Sequence, residues 1–338
     1  IRTIPRIFTA ITALPLKNRE LPMAAHLKSI LEDHVPESFR LLEELVLIQS
    51  GSRNKAGVDR VGIRIKKEMA AMGFDCRISP GKELGDNLIA KSPACLDPGH
   101  AKDQILITGH MDTVFPSDTQ FNFYKEDDRH CYGPGVADMK GGLVVGIMAI
   151  KTLWRAGLLD ILPLCFVFNS DEEIGSPSSR GLIRDEAQKS RCAFVLEAGG
   201  LSNEIVTGRK GNLSLKLEIQ GRAGHAAFAG KDKASAILEL ARKTIAIEEL
   251  NAPELGISAN VGTVQGGLGS NTVAQHASAL LDFRFLTDKD AQGLKKSIED
   301  IVSARTTPHT RSEYQTVSSR PAMPQTPQNK DLFQEIQQ

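Results

Sequence analysis

A chain of 338 residues has room for about two domains of ordinary size. Its hydrophobic share of 41% and charged share of 24% are those of a globular protein with material for a core. Lys plus Arg balance Asp plus Glu at 41 each, aromatics are few and no basic tract or bilayer-length apolar run occurs, so nucleic-acid and membrane partners are not expected.

The chain opens on Ile1, and IRTIPRIFTAITALPLKNRELP precedes the first methionine, Met23. Arg2, Arg6 and a short apolar patch would suit a poor signal peptide. The preferred expectation is upstream sequence ahead of a start at Met23, which leaves residues 1–22 as a leader outside the fold. Five cysteines, widely spaced and without a C-x-x-C pair, argue against a disulfide framework or structural zinc knot. A reducing, cytoplasmic location is therefore expected, with a periplasmic or secreted one if the leader is a signal.

Residues 23–208 read as an α/β domain. HLKSILEDHV, FRLLEELVLIQS and VGIRIKKEMAAMGF carry helical apolar spacing. FDCRISP, DNLIAKS and QILITGH read as strands, LVVGIMAIKTLWRAG as a long helix, and ILPLCFVF and CAFVLEAG as two buried strands. Strands alternating with helices predict a mixed, mostly parallel sheet flanked by helices. Over 209–318 the texture changes: NLSLKLEIQG alternates apolar with polar, and two amphipathic helices (KASAILELARKTIAIEEL, KDAQGLKKSIEDIVSAR) are interleaved with the strands ISANVGTVQGG, TVAQHASALLDFRFL and RSEYQTVSS. This predicts an inserted α+β domain, two helices on a four-stranded antiparallel sheet. Residues 319–338 are expected to begin an incomplete return to the first domain.

The chemistry gathers at predicted strand ends, where open α/β sheets bind ligands. QILITGHMDTVFP places His110 and Asp112 just past one strand, GPGVADMKGG places Asp138 between glycine turns and a helix, NSDEEIG places Asp171, Glu172 and Glu173 past another, and VLEAGG places Glu197 past a third. One imidazole and several carboxylates form a donor set that zinc uses. A cation would also relieve the repulsion among three adjacent acids. Asp112, two residues after His110, can accept the other ring N–H and fix the tautomer. Each motif alone has an ordinary explanation as a chance pair, a capping turn or a solvated acidic face. Their convergence on one sheet edge carries the metal reading.

HMDTVFP, YGPGVADMKGG, FNSDEEIGS and VLEAG, in that order and at these separations, resemble the two-zinc exopeptidase and amidohydrolase family that includes carboxypeptidase G, acetylornithine deacetylase, succinyl-diaminopimelate desuccinylase and aminoacylase. The resemblance runs from about residue 40 onward and leans toward the glutamate carboxypeptidase branch. It implies Asp138 as the carboxylate bridging two zinc ions per subunit (cobalt or manganese being substitutes), His110 and Glu197 completing one site, Glu173 in the other, and Glu172 as general base. It also implies a cis peptide after Asp138. In the insert, GRAGHAAF matches a lid motif whose His225 polarises the substrate carbonyl in the partner subunit, while Asn271 and Arg284 grip the substrate carboxylate. A turn role for Asn271 and a surface charge for Arg284 are the plain alternatives. The implied reaction is hydrolysis of an amide bond next to a free carboxylate in a small peptide, by a homodimer joined through the lid. The rivals are removal of an acyl group from an amino acid and a non-catalytic dimeric binding protein on the same fold. The resemblance further implies a last histidine ligand beyond the insert. No histidine follows His309, so a fragment of a longer protein is expected.

Overall fold

The computed structural model describes residues 23–100, 102–200 and 204–337, so the predicted leader lies outside the described residues. The chain divides into two units between Ala198 and Gly199.

In the first unit, helices α1 (Met23–Glu32), α2 (Val35–Leu47) and α3 (Lys55–Ala71) precede strands β1 (Asp75–Ser79), β2 (Asn87–Lys91) and β3 (Gln104–His110). Helix α4 (Gly141–Arg155), strand β4 (Leu164–Asn169), helix α5 (Arg180–Ala187) and strand β5 (Ser190–Val195) follow. Helix α3 starts where the Asn54 side chain accepts the N–H of Gly57, and it buries Val58, Val61, Ile65 and Met69, one face at helical spacing. Helix α4 buries Leu143, Val144, Ile147 and Met148 in the same core as Phe166 and Phe168, whose rings stack 3.8 Å apart on β4.

The sheet order is β1-β2-β4-β3-β5. Strand β3 pairs in parallel with both β4 and β5, whereas β1–β2 and β2–β4 are antiparallel. The three parallel strands bring their carboxyl ends, at His110, Asn169 and Val195, to one edge. Strand β4 is buried along its whole length, as a central strand with both faces covered should be. Its apolar run begins earlier than the strand does, because Leu159–Ile161 forms a 3-10 turn and Pro163 precedes the first paired residue. Strand β5, read as buried from its composition, is only half-buried on alternate residues, because it lies at the sheet's edge.

The second unit contains β6 (Gly211–Gln220), α6 (Ala236–Glu248), β7 (Ser258–Gly266), β8 (His276–Phe285), α7 (Asp288–Ser303), β9 (Arg311–Arg320) and α8 (Pro327–Gln337). Its four strands are antiparallel in the order β7-β8-β6-β9. Leu213, Leu215, Leu217 and Ile219 alternate inward on β6, as do Ala277, Ala279, Leu281 and Phe283 on β8, against Leu240 and Ile247 of α6 and Leu294, Ile298 and Val302 of α7. A capping box between Thr287 and Asp290 starts α7. The stretch TVAQHASALLDFRFL is two pieces. Thr272–Val273 pairs with Gly224–His225, and only His276–Phe285 joins the main sheet. Met323 bridges Arg209, and the Asn329 amide donates to the Thr207 carbonyl at 3.1 Å, so residues just past β9 pack beside the start of this unit. Among the described residues no helix is long and apolar enough to cross a membrane.

Candidate metal centre

His110 ends β3 with its side chain 1% exposed. Its Nε2 lies 2.9 Å from Asp138 Oδ1 and 3.4 Å from Glu197 Oε1. One ligand atom from each of these three residues falls within 4.8 Å of the others, and this is the one such group among the described residues. The far ring nitrogen, Nδ1, faces the Asp112 carbonyl at 2.9 Å and the Asp112 carboxylate at 3.4 Å. Both oxygens accept from an N–H there, which fixes the ring so that Nε2 faces the two exposed carboxylates. A buried imidazole facing two acids that reach solvent is a donor set suited to a divalent cation of zinc type.

Local backbone chemistry builds this arrangement. Gly135 adopts φ 75°, and a Cβ there would meet Thr113 Cγ2 at 2.7 Å, so the turn before Asp138 demands glycine. A Cβ on Gly142 would lie 1.9 Å from the Leu196 carbonyl oxygen. Glycine at the start of α4 therefore lets the backbone that carries Glu197 approach the backbone that carries Asp138. The peptide between Asp138 and Met139 is cis. Lys140 is buried, and its ammonium donates to the carbonyls of Leu45 and Ile48, both at 2.8 Å, which ties this segment to the end of α2.

The acidic trio splits into separate tasks. Asp171 is fully buried, and its carboxylate accepts from the Ser178 N–H and hydroxyl at 2.6 and 2.7 Å and from the Ser179 N–H and hydroxyl at 3.2 and 2.5 Å. The loop's own donors satisfy its oxygens, which sets Asp171 apart from the two acids that follow it. Glu172 is exposed and Glu173 half-buried. Their backbone N–H groups donate to Asp112 Oδ1 at 3.1 Å and Oδ2 at 3.3 Å, so Asp112 holds both the histidine and the acidic turn. Glu173 stands outside the three-residue cluster.

Electrostatics mark the same spot. Burial opposes charge on His110, yet the hydrogen bonds and charges of Asp112 and Glu197 prevail and raise it to about 11. Burial, then the charge of Asp138, pushes the Glu173 carboxyl up to about 7. Excess negative potential stabilises a proton on histidine and resists ionisation of the next carboxylate, and it favours a bound cation in the same way.

In the second unit, His225 is exposed, its Nδ1 accepts from the Ala227 N–H at 3.2 Å, and its ring lies 5.2 Å from that of Phe228. Asn271 is brought beside it, its carbonyl accepting from the Ala226 N–H at 2.9 Å. Arg284 is not. Its guanidinium forks onto Asp282 at 2.7 and 3.1 Å, and it pairs with Asn212 at the far end of the sheet from His276. Eight residues of extended strand separate those ends, about 27 Å.

Sequence reasoning passed over Ser52, whose hydroxyl donates to Asp112 Oδ2 at 2.7 Å, and Ser178 and Ser179. The only signal for the latter pair was polar residues following an acid in a loop; for Ser52, sixty positions before its partner, there was none.

Residues 207–310 match the model of a peptidase dimerisation domain. Carboxypeptidase G2 of Pseudomonas sp. (strain RS-16) is 28% identical to this chain over 320 residues, spanning 93% of this chain and 74% of that one. A succinyl-diaminopimelate desuccinylase of Albidiferax ferrireducens is 25% identical over 299 residues, 79% of this chain and 73% of the relative. Aminopeptidase PepT from Bacillus cereus shares the fold with a TM-score of 0.68 at 24% identity, over 86% of this chain and 77% of that one. The M20 family metallo-carboxypeptidase Sso-CP2 of Sulfolobus solfataricus does so at 0.59 and 19%, over 85% and 79%.

Proposed function

We propose that this chain, a relative of the M20 metallopeptidases and amidohydrolases, hydrolyses an amide bond adjacent to a free carboxylate and releases a C-terminal amino acid of the glutamate type. The observation that supports it is the convergence of His110, Asp138 and Glu197 at the carboxyl ends of parallel strands, beside a turn that presents Glu172 and Glu173.

One imidazole nitrogen and two carboxylate oxygens within 4.8 Å of one another fit a zinc-type ion. Such an ion, when bound, supplies Lewis acidity to water and to a substrate carbonyl. The chain's own residues do the rest. Asp112 holds the Nδ1–H of His110 so that Nε2 points at the acids. Glu172, exposed and on the same turn, accepts a proton from the attacking water and hands it to the leaving nitrogen. We assign zinc, two ions per subunit: His110, Asp138 and Glu197 would hold one, and Asp138 and Glu173 would contribute to the other, in keeping with the action of Asp138's charge on Glu173.

The dimerisation-domain match favours a homodimer through the second unit. Strand β7 lies at the edge of its sheet and leaves Val264 57% exposed, and α6 leaves Ile245 62% exposed, apolar surface that a second copy would cover. His225 and Asn271 sit together, far from Arg284 along the sheet, so a substrate gripped by all three draws on two subunits. Asp282 holds Arg284 by Nε and Nη2, which leaves the Nη1 side of the guanidinium to bind a carboxylate.

The desuccinylase relative favours a second reading, removal of an acyl group from an amino acid. Metal analysis of the purified protein together with turnover of acyl-glutamates and of N-acetyl amino acids tests both. Bound zinc with acyl-glutamate cleavage supports the first reading, preference for N-acetyl substrates the second, and a protein that binds no divalent metal refutes the hydrolase.

A further inference from the structure

We propose that Ser52 is a positioning residue for this centre. Its hydroxyl orients Asp112, and Asp112 in turn orients both the ligand His110 and the acidic turn 172–173. The inference rests on the metal reading above and extends it to a segment that touches neither metal nor substrate.

Asp112 is fully buried, so each lone pair of its carboxylate needs a donor. Oδ1 takes the Glu172 N–H at 3.1 Å and faces His110 Nδ1 at 3.4 Å. Oδ2 takes the Glu173 N–H at 3.3 Å, a long bond, and the Ser52 hydroxyl at 2.7 Å, the shortest contact the carboxylate makes. Without Ser52, one long bond alone holds Oδ2, and the orientation of the carboxylate toward the imidazole rests on the two backbone N–H groups of the acidic turn. Ser52 is itself 7% exposed and rigidly seated. Its N–H donates to the Thr113 carbonyl at 3.2 Å, the Thr113 N–H donates to the Ser50 carbonyl at 2.9 Å, and Gly51 forms a parallel bridge with Thr113. The connection between α2 and α3 is thus a short strand-like splint along the residues that follow His110, with a hydroxyl aimed at their carboxylate.

The same loop supplies an internal control. Ser50, two residues earlier and 1% exposed, has a hydroxyl without a hydrogen-bond partner among the described residues. Of the two buried serines in this turn, only Ser52 directs its hydroxyl at Asp112.

The experiment compares Ser52→Ala, Ser52→Thr and Ser50→Ala in the full chain. Co2+ affinity is measured by titration of the visible absorption band, and kcat and KM on an acyl-glutamate. Residues that orient a metal ligand from behind typically change metal affinity or activity about 10–100-fold. The expected result for Ser52→Ala is Co2+ binding weaker by about 10-fold and kcat lower by a similar factor, with KM within about twofold. Ser50→Ala should match the unaltered protein, and Ser52→Thr, which keeps the hydroxyl, should recover most of the loss. Ser52→Ala that binds Co2+ as tightly as Ser50→Ala overturns the inference. So does Ser52→Thr as weak as Ser52→Ala, since the position would then act through volume. If Ser52→Ala does not fold, Ser52→Thr decides alone: near-native Co2+ affinity supports the inference and loss of it overturns it. An unaltered chain that binds no Co2+ refutes the metal reading and this inference with it, whereas binding that is indifferent to Ser52 refutes only the latter.

Discussion

The buried ion pair between Glu186 and Lys91 gives the first unit a pH-dependent share of its stability. Glu186, at the end of α5, is 6% exposed. Its carboxylate accepts from Lys91 at 2.7 Å on β2, from the Gln104 amide at 3.0 Å at the start of β3, and from Lys189 at 3.0 Å. Burial works against the charged form, but these donors outweigh it and lower the carboxyl from an ordinary 4.5 to about 2. The rise in Lys91 reports the same interaction, so it is counted once. The unfolded chain binds this proton near pH 4.5 and the folded one only near pH 2. The stabilisation is therefore complete above about pH 5, and it is lost as pH falls through the folded value. Its full size is on the order of 3 kcal/mol, of which about 2 is already gone at pH 3. Glu186→Gln removes the titration while keeping the shape. Urea denaturation of both proteins should give a stability difference of about 3 kcal/mol at pH 7 that shrinks to about 1 at pH 3. Glu186 lies at the opposite end of β3 from His110, so Co2+ affinity of the folded variant should be unchanged. A difference that stays constant from pH 7 to pH 3 would refute the reasoning.

Three further outcomes are expected. Glu172→Gln should retain divalent metal, measured by elemental analysis, yet lose turnover by about 10²–10⁴-fold; full activity would remove it from the role of base. His225→Ala should lower kcat without lowering metal content, and mixed dimers with Glu172→Gln should regain activity if the histidine serves the partner subunit; flat activity across mixing ratios would place it elsewhere. Gly142→Ala puts a methyl 1.9 Å from the Leu196 carbonyl. It should cost about 1–3 kcal/mol in thermal or urea unfolding and weaken Co2+ binding by displacing Glu197; a variant that melts with the unaltered protein and binds metal equally would show that the close approach is dispensable.

The order of strands and helices in both units was legible in the chain, because apolar period and glycine punctuation are local properties. So were the residues that meet at the sheet edge: His110, Asp138 and Glu197 each follow an apolar strand or a glycine turn within a few positions. The alternation in NLSLKLEIQG foretold which face of β6 is buried, since a strand's side-chain period is two.

What the chain did not disclose depends on partners distant in sequence. Adjacent acids looked alike until folding gave Asp171 to the serine donors of its loop, Glu172 to solvent and Glu173 to the neighbourhood of Asp138. Arg284 and Asn271 sit on one stretch of sequence, yet Asn271 stands beside the small pairing of Thr272–Val273 with Gly224–His225, whereas β8 carries Arg284 to its far end. The hub at Asp112 joins Ser52, His110, Glu172 and Glu173 across 121 positions, from 52 to 173. Composition and periodicity report which residues want to leave water. For partners far apart in sequence, which donor satisfies which buried oxygen is settled only when the tertiary structure brings the two together, since a hydrogen bond depends on distance and direction that spacing along the chain does not fix.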